Sequence, residues 1–208
     1  MIGATLSAER WQNLWQRLGA TPPEGSFAAL TAHYSEPQRH YHNGAHLNAC
    51  LQHLDRFQHL AQDAAVVEFA LWTHDAIYHT QRQDNEAASA DLAEKWLREA
   101  GVPEHVDSVR RHILATAHLE PAEADDAGLV VDIDLSVLAL PAHDYHAYTE
   151  AIRAEFAWVP EALFTAGRAK VLNTLLAMPY LYSHEEIRAH WEANARANLQ
   201  RELARLLA

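Results

Sequence analysis

A chain of 208 residues, 49% hydrophobic and 21% charged, carries enough apolar material for one substantial core, and its composition excludes the disordered and fibrous classes. The formal net charge of -12 excludes a general nucleic-acid binder, because no long basic stripe is present to displace counterions from phosphates. No apolar run of about 18 uncharged residues occurs, Met1-Ile2-Gly3-Ala4-Thr5 has neither a basic nor an apolar leader character, and Cys50 is the only cysteine. The expectation is therefore a cytoplasmic protein with no membrane span, no secretory signal and no internal disulfide.

The predicted elements are helical throughout. A first amphipathic segment starts at Leu6 and repeats Trp11, Leu14, Trp15 and Leu18 at spacings of three and four. Thr21-Pro22-Pro23-Glu24-Gly25 interrupts it, and a short helix spans Ser26 to His33 before Pro37 disfavours helical geometry at Glu36. No proline lies between Pro37 and Pro103, which leaves room for helices over 42–60, 64–75 and 84–100. Gly101 terminates the last of these, and Pro103 opens the next, over 103–117. An acidic linker from Glu120 to Asp126 leads to helices over 127–138, 142–156, 160–176 and 184–206, with Pro141, Pro160 and Pro179 at the joins. Alternating β-branched runs are missing, and no repeat or Gly/Ser linker divides the chain. The pattern predicts a single all-α domain over 1–208, with terminal helices packed around a central site.

That site is signalled by His74-Asp75, which closes the apolar segment Val66-Val67-Glu68-Phe69-Ala70-Leu71-Trp72. An imidazole and a carboxylate beside apolar neighbours need a cationic partner, and a divalent metal serves both. Upstream, His42 and His46 are four apart and share a face if both are helical. That face continues to Cys50, His53 and Leu54, so His46 stands where it turns towards the core and is the better ligand; His42 is placed to meet a bound molecule. Downstream, in Leu129-Val130-Val131-Asp132-Ile133-Asp134-Leu135, helical geometry puts Asp134 with Val130, Val131 and Val137 on the inner face. Asp132 falls on a more polar face with Gly128 and Ser136, as an acceptor behind the ligands or a surface residue. His46, His74, Asp75 and Asp134 thus form a set of two histidines and two carboxylates suited to Mn, Fe, Ni, Co, Zn or Mg, with room for water.

Five landmarks extend the pattern: Tyr34-Ser35-Glu36-Pro37-Gln38-Arg39-His40-Tyr41-His42-Asn43, Leu71-Trp72-Thr73-His74-Asp75-Ala76-Ile77-Tyr78, Asp84-Asn85-Glu86, Asp132-Ile133-Asp134-Leu135 and Ala195-Arg196-Ala197-Asn198-Leu199. As a set they resemble the HD-domain metal phosphohydrolases, in particular a branch of small uncharacterised predicted HD phosphohydrolases, over nearly the whole chain. The resemblance implies an HD-type helical bundle, a divalent metal on His46, His74, Asp75 and Asp134, and hydrolysis of a phosphate ester or phosphoanhydride, with a nucleotide among the candidate substrates. His42-Asn43 followed by His46 is similar to a stretch of the cyclic-nucleotide phosphodiesterases, which implies that His42 is the general acid. Several nucleotidases of the wider family place a glutamate shortly after the histidine-aspartate pair; Tyr78 stands in that neighbourhood here. Glu86 is then the candidate to accept the proton of the attacking water, alongside a metal-bound carboxylate.

With only Lys95 and Lys170 as lysines, arginine is expected to carry the contacts to a small phosphate-bearing partner. Arg39, close to His42, leads; Arg168 follows, and Lys170 is read as an ordinary solvated residue. Three other readings fit the same residues: a nucleotide-binding or signalling module that keeps the metal centre without turnover, a structural helical protein in which the polar groups pair with one another, and a metal-dependent oxygenase. The absence of a glycine-rich phosphate loop excludes dinucleotide-fold and P-loop chemistry.

Overall fold

The structure, a computed structural model, describes residues 6–118 and 121–208. The opening residues 1–5 and Glu120 of the acidic linker lie outside the described residues. Ten α-helices follow in order: α1 (Ala8–Arg17), α2 (Ser26–His33), α3 (Gly44–Phe57), α4 (Ala64–Thr73), α5 (Asn85–Glu99), α6 (Val106–Ala115), α7 (Asp126–Asp134), α8 (Ala142–Glu155), α9 (Glu161–Ala177) and α10 (Glu185–Leu206). Short 3-10 turns at Gln58–Leu60, Pro103–His105 and Leu135–Ala139 account for most of the difference from the predicted spans. No strand occurs among the described residues. No helix of theirs is long and apolar enough to cross a membrane.

Two helices form the interior. Every residue of α4 from Val66 to Thr73 is buried, and so is every residue of α7 from Asp126 to Ile133, the pattern of a helix enclosed on all sides. Around α4 pack α1, α3, α5, α6 and α7. The expected periodicity of α1 is met by an aromatic cluster in which Trp11 lies 5.3 Å from Trp72 and 6.0 Å from Trp96, and Trp15 lies 5.1 Å from Phe69. Glu68, a carboxylate inside α4, accepts from Arg10 Nε at 2.7 Å and pairs with Arg17, so α1 neutralises the one charge that α4 buries. Buried side chains from α1 to α10 belong to one contiguous core.

Two expectations about local structure are corrected. His42 does not sit on a helix with His46: Asn43 is extended and its side chain accepts from the Ala45 amide, so α3 starts at Gly44 and His42 lies on the turn before it. Asp132 is neither a surface residue nor an acceptor behind the ligands. It is fully buried and accepts the backbone amides of Ser183 and His184 at 2.7 and 2.9 Å, the Ser183 hydroxyl at 2.9 Å and a contact with His184 Nδ1 at 2.9 Å. It therefore moors the segment between α9 and α10 to α7. Gly128 permits the same approach one turn earlier, since a Cβ there would stand 1.8 Å from the Glu123 carbonyl oxygen and 2.7 Å from Ser183 Oγ.

Replacing Asp132 by alanine leaves two buried amides without acceptors and is expected to cost about 3 kcal/mol, read as a lower melting temperature in thermal unfolding. Metal content should stay at the wild-type level. A variant that unfolds normally but loses metal would place Asp132 back at the ligands.

Candidate metal centre

Three helix ends converge on one point. His46 comes from the first turn of α3, His74 and Asp75 follow the end of α4, and Asp134 is the last residue of α7. His74 is the C-cap of α4, its amide still bonded to the Ala70 carbonyl, so the chain leaves the helix as these two side chains are presented. The carbonyls freed at this corner are satisfied by side chains: Tyr34 Oη donates to Trp72 O at 3.2 Å, and Arg39 donates to Asp75 O at 2.6 Å and Ala76 O at 3.0 Å.

One nitrogen or oxygen from each of His46, His74, Asp75 and Asp134 lies within 4.8 Å of all the others. His46 Nε2 is 3.3 Å from His74 Nε2, 3.6 Å from Asp75 Oδ2 and 3.2 Å from Asp134 Oδ1. His74 Nε2 is 3.2 Å from Asp75 Oδ2 and 3.4 Å from Asp134 Oδ1. Atoms bound at about 2.1 Å to one ion, in tetrahedral or octahedral geometry, stand about 3.0 to 3.4 Å from their neighbours. Four of these five separations fall in that range, and the 3.6 Å between His46 Nε2 and Asp75 Oδ2 lies just beyond it.

The tautomer of His74 makes the same point chemically. Its Nδ1 donates to the Leu71 carbonyl at 2.8 Å, which leaves a lone pair on Nε2 in the neutral ring. That lone pair faces two carboxylate oxygens and a second imidazole nitrogen, all inside a largely buried site. Such a group needs a positive charge at its centre. Burial opposes the His74 imidazolium, but the carboxylates of Asp75 and Asp134 outweigh it and hold His74 well above the usual histidine range. Burial likewise opposes ionisation of Asp134, and contacts from His118, His46 and His74 outweigh it, so its carboxyl is held well below the usual range. A proton on His74 answers part of this demand; a divalent ion answers all four atoms.

His118 was not foreseen. Its Nε2 lies 3.1 Å from Asp134 Oδ2, the oxygen turned away from the two histidines, and its backbone has a φ of 52° just beyond α6. It orients the carboxylate. Glu155, at the end of α8, was also missed. Its side chain is fully buried and accepts the amides of Tyr41 and His42 at 2.7 and 2.9 Å, with His42 Nδ1 at 2.7 Å and the Tyr78 hydroxyl at 3.2 Å. The ring of Tyr78 stacks on His42 at 4.0 Å between centroids. His42 is thus fixed through Nδ1 and one ring face, and its Nε2 has no protein partner among the described residues.

The other predicted residues take different places. Glu86 is half-buried in the first turn of α5, makes no side-chain hydrogen bond among the described residues and does not line the cavity described below; the carboxylate beside His42 is Glu155. Arg39 is not free to hold a phosphate. Its side chain is buried, and it donates to Glu36, to the carbonyls of Asp75 and Ala76 and to the His42 carbonyl at 3.2 Å, which ties the His42 turn to the His74 corner. Arg168 does face open space: with His42, His118 and Asp134 it lines a cavity of about 540 Å³ between α8 and α9, and Lys170 lines it too.

Burial raises the Glu155 carboxyl, and the hydrogen bond and charge of His42 with the two amides outweigh it, so its net position is below the ordinary value of 4.5. A depressed carboxyl contributes stability that is complete above the unfolded value and disappears as pH falls through the lower folded value. Acid unfolding followed by circular dichroism should therefore show a loss below about pH 4.5 that is smaller in Glu155→Gln. Identical acid limbs would remove Glu155 from the charge balance.

Compared with known proteins, the chain matches no family model, no curated protein and no solved structure.

Proposed function

We propose that the protein is a metal-dependent phosphohydrolase of the HD type, acting on a small phosphate ester or phosphoanhydride. The observation that carries this reading is one cavity lined both by Asp134, a member of a four-residue cluster able to hold a metal ion, and by His42, which a buried carboxylate holds. A cluster alone is compatible with a structural ion; a proton donor beside it gives the site a direction for bond cleavage.

The donor set of two imidazoles and two carboxylates suits a first-row divalent ion, and the imidazoles argue against magnesium alone. Such an ion, when bound, supplies Lewis-acid polarisation of the phosphoryl group and activation of water. The protein's own residues do the rest. Glu155 accepts from His42 Nδ1, which sets the ring so that the acidic proton is carried on Nε2. His42 gives that proton to the leaving oxygen as the phosphorus-oxygen bond breaks and the new bond to the water oxygen forms. The proton lost by the water is assigned to the Asp75 carboxylate, whose Oδ1 has no protein partner among the described residues, and its return to His42 closes the cycle. Asp134, held by His118, remains a ligand throughout.

The test is phosphate release. Protein stripped of metal, then reconstituted separately with Mn, Fe, Co, Ni, Zn and Mg, is offered phosphate monoesters, nucleotides and pyrophosphate. Turnover restored by at least one ion is the expected result. Saturable ligand binding with no release under any ion would instead favour the binding-module reading.

A further inference from the structure

The cavity that reaches His42 and Asp134 has two kinds of wall. Tyr148, Ile152 and Phe156 on the α8 side, and Val171 and Leu175 on α9, make an apolar cleft. Arg168 and Lys170 add two cations to the same lining. The two are not equivalent. Arg168 gives Nε and Nη2 to Glu202 at 2.7 and 3.0 Å, so its charge is cancelled locally. Lys170 makes no ion pair among the described residues, whereas the other lysine of the chain, Lys95, lies 3.8 Å from Glu99. Lys170 is exposed, so it stands on the solvent side of this lining; in a protein with a net charge of -12, a lysine there with no ion pair among the described residues marks a place where an anion is favoured. The volume, about 540 Å³, is larger than a bare phosphate needs and falls among cavities that enclose small organic ligands.

From these observations, and resting on the hydrolase reading, we infer that the substrate is an organic phosphate with a flat or apolar body and a second anionic group. The reacting phosphate meets the metal cluster, the body lies in the cleft between α8 and α9, and the second anionic group is taken by Lys170. Inorganic polyphosphates, which have no apolar body, do not use this cleft. Lys170 is then a residue that selects substrate and takes no part in bond cleavage.

Adenosine 5′-monophosphate, adenosine 3′,5′-bisphosphate and orthophosphate serve as probes, titrated calorimetrically into metal-reconstituted protein. The bisphosphate should bind about tenfold more tightly than the monophosphate, the size of one good charge contact. Lys170→Met should abolish that preference and Lys170→Arg should keep it. Val171→Asn should weaken both nucleotides and leave orthophosphate unchanged. Equal binding of the two nucleotides by the wild type, a preference that survives Lys170→Met, or nucleotides held no better than orthophosphate would each overturn the inference. The expected binding pattern without phosphate release from any ester would overturn the hydrolase reading and leave the ligand class standing. Turnover of simple aryl phosphates without the pattern would do the reverse.

Discussion

Asparagine in place of Asp75 is expected to abolish tight metal binding and to lower turnover by about three powers of ten, and to lower the melting temperature of the metal-free protein. The first half follows from the loss of one of four ligand groups around an ion whose charge stabilisation is worth several kcal/mol in the transition state. The second follows from the metal-free geometry. Asp75 Oδ2 faces His74 Nε2 at 3.2 Å and His46 Nε2 at 3.6 Å, and His74 Nδ1 donates a hydrogen bond to the Leu71 carbonyl. Without an ion, the Asp75 carboxylate helps to hold the second proton on His74, and that pair answers part of the charge demand of the cluster; a neutral carboxamide does not. If the four residues were only hydrogen-bond partners of one another, the same loss of stability would appear, but added divalent metal would raise the melting temperature of neither the wild type nor the variant. Chelation measured by elemental analysis, together with thermal unfolding of the stripped proteins before and after metal addition, separates the two.

Removal of the His42 imidazole is expected to separate chemistry from metal binding. His42→Asn should retain the ion, since His42 is outside the four-residue cluster, and should lower kcat by about 10² to 10³, the range for loss of a general acid. The loss should depend on the leaving group. An alkyl phosphate, whose departing oxygen needs the proton, should suffer the full effect, and p-nitrophenyl phosphate, whose phenolate leaves unaided, should suffer little. Glu155→Gln should follow the same trend at roughly a tenth of the size, because it acts through the orientation of His42. Equal losses on both esters would remove His42 from proton transfer.

Much of the helical order was legible because punctuation and periodicity agreed. Ser26 to His33 matches its predicted bounds, and the spacing of Trp11, Leu14 and Trp15 marks the buried face of α1. The polar cluster was legible for a different reason. His74, Asp75 and Asp134 are polar groups in segments whose neighbours have nowhere to go but the core, so each announces an internal partner. Glu155 was hidden because its value depends on a contact across 113 residues with the His42 turn; in sequence it is one more acid at the end of an amphipathic helix. His118 was hidden among fifteen histidines. Arg39 was misread because proximity in sequence to His42 does not say whether a guanidinium faces a ligand or the backbone, and the open carbonyls at the end of α4 claimed it. Asp132 shows that a helical wheel ranks faces only when one face is solvated, and α7 has none.

The most direct measurement is anomalous diffraction at the metal absorption edge from crystals of protein reconstituted with manganese or zinc. A metal centre built from His46, His74, Asp75 and Asp134 predicts one strong peak among their four facing atoms, at about 2.0 to 2.2 Å from each, and its disappearance in the Asp75→Asn protein. A saturated crystal with no peak at that point, or with density only at surface carboxylates, would contradict the assignment.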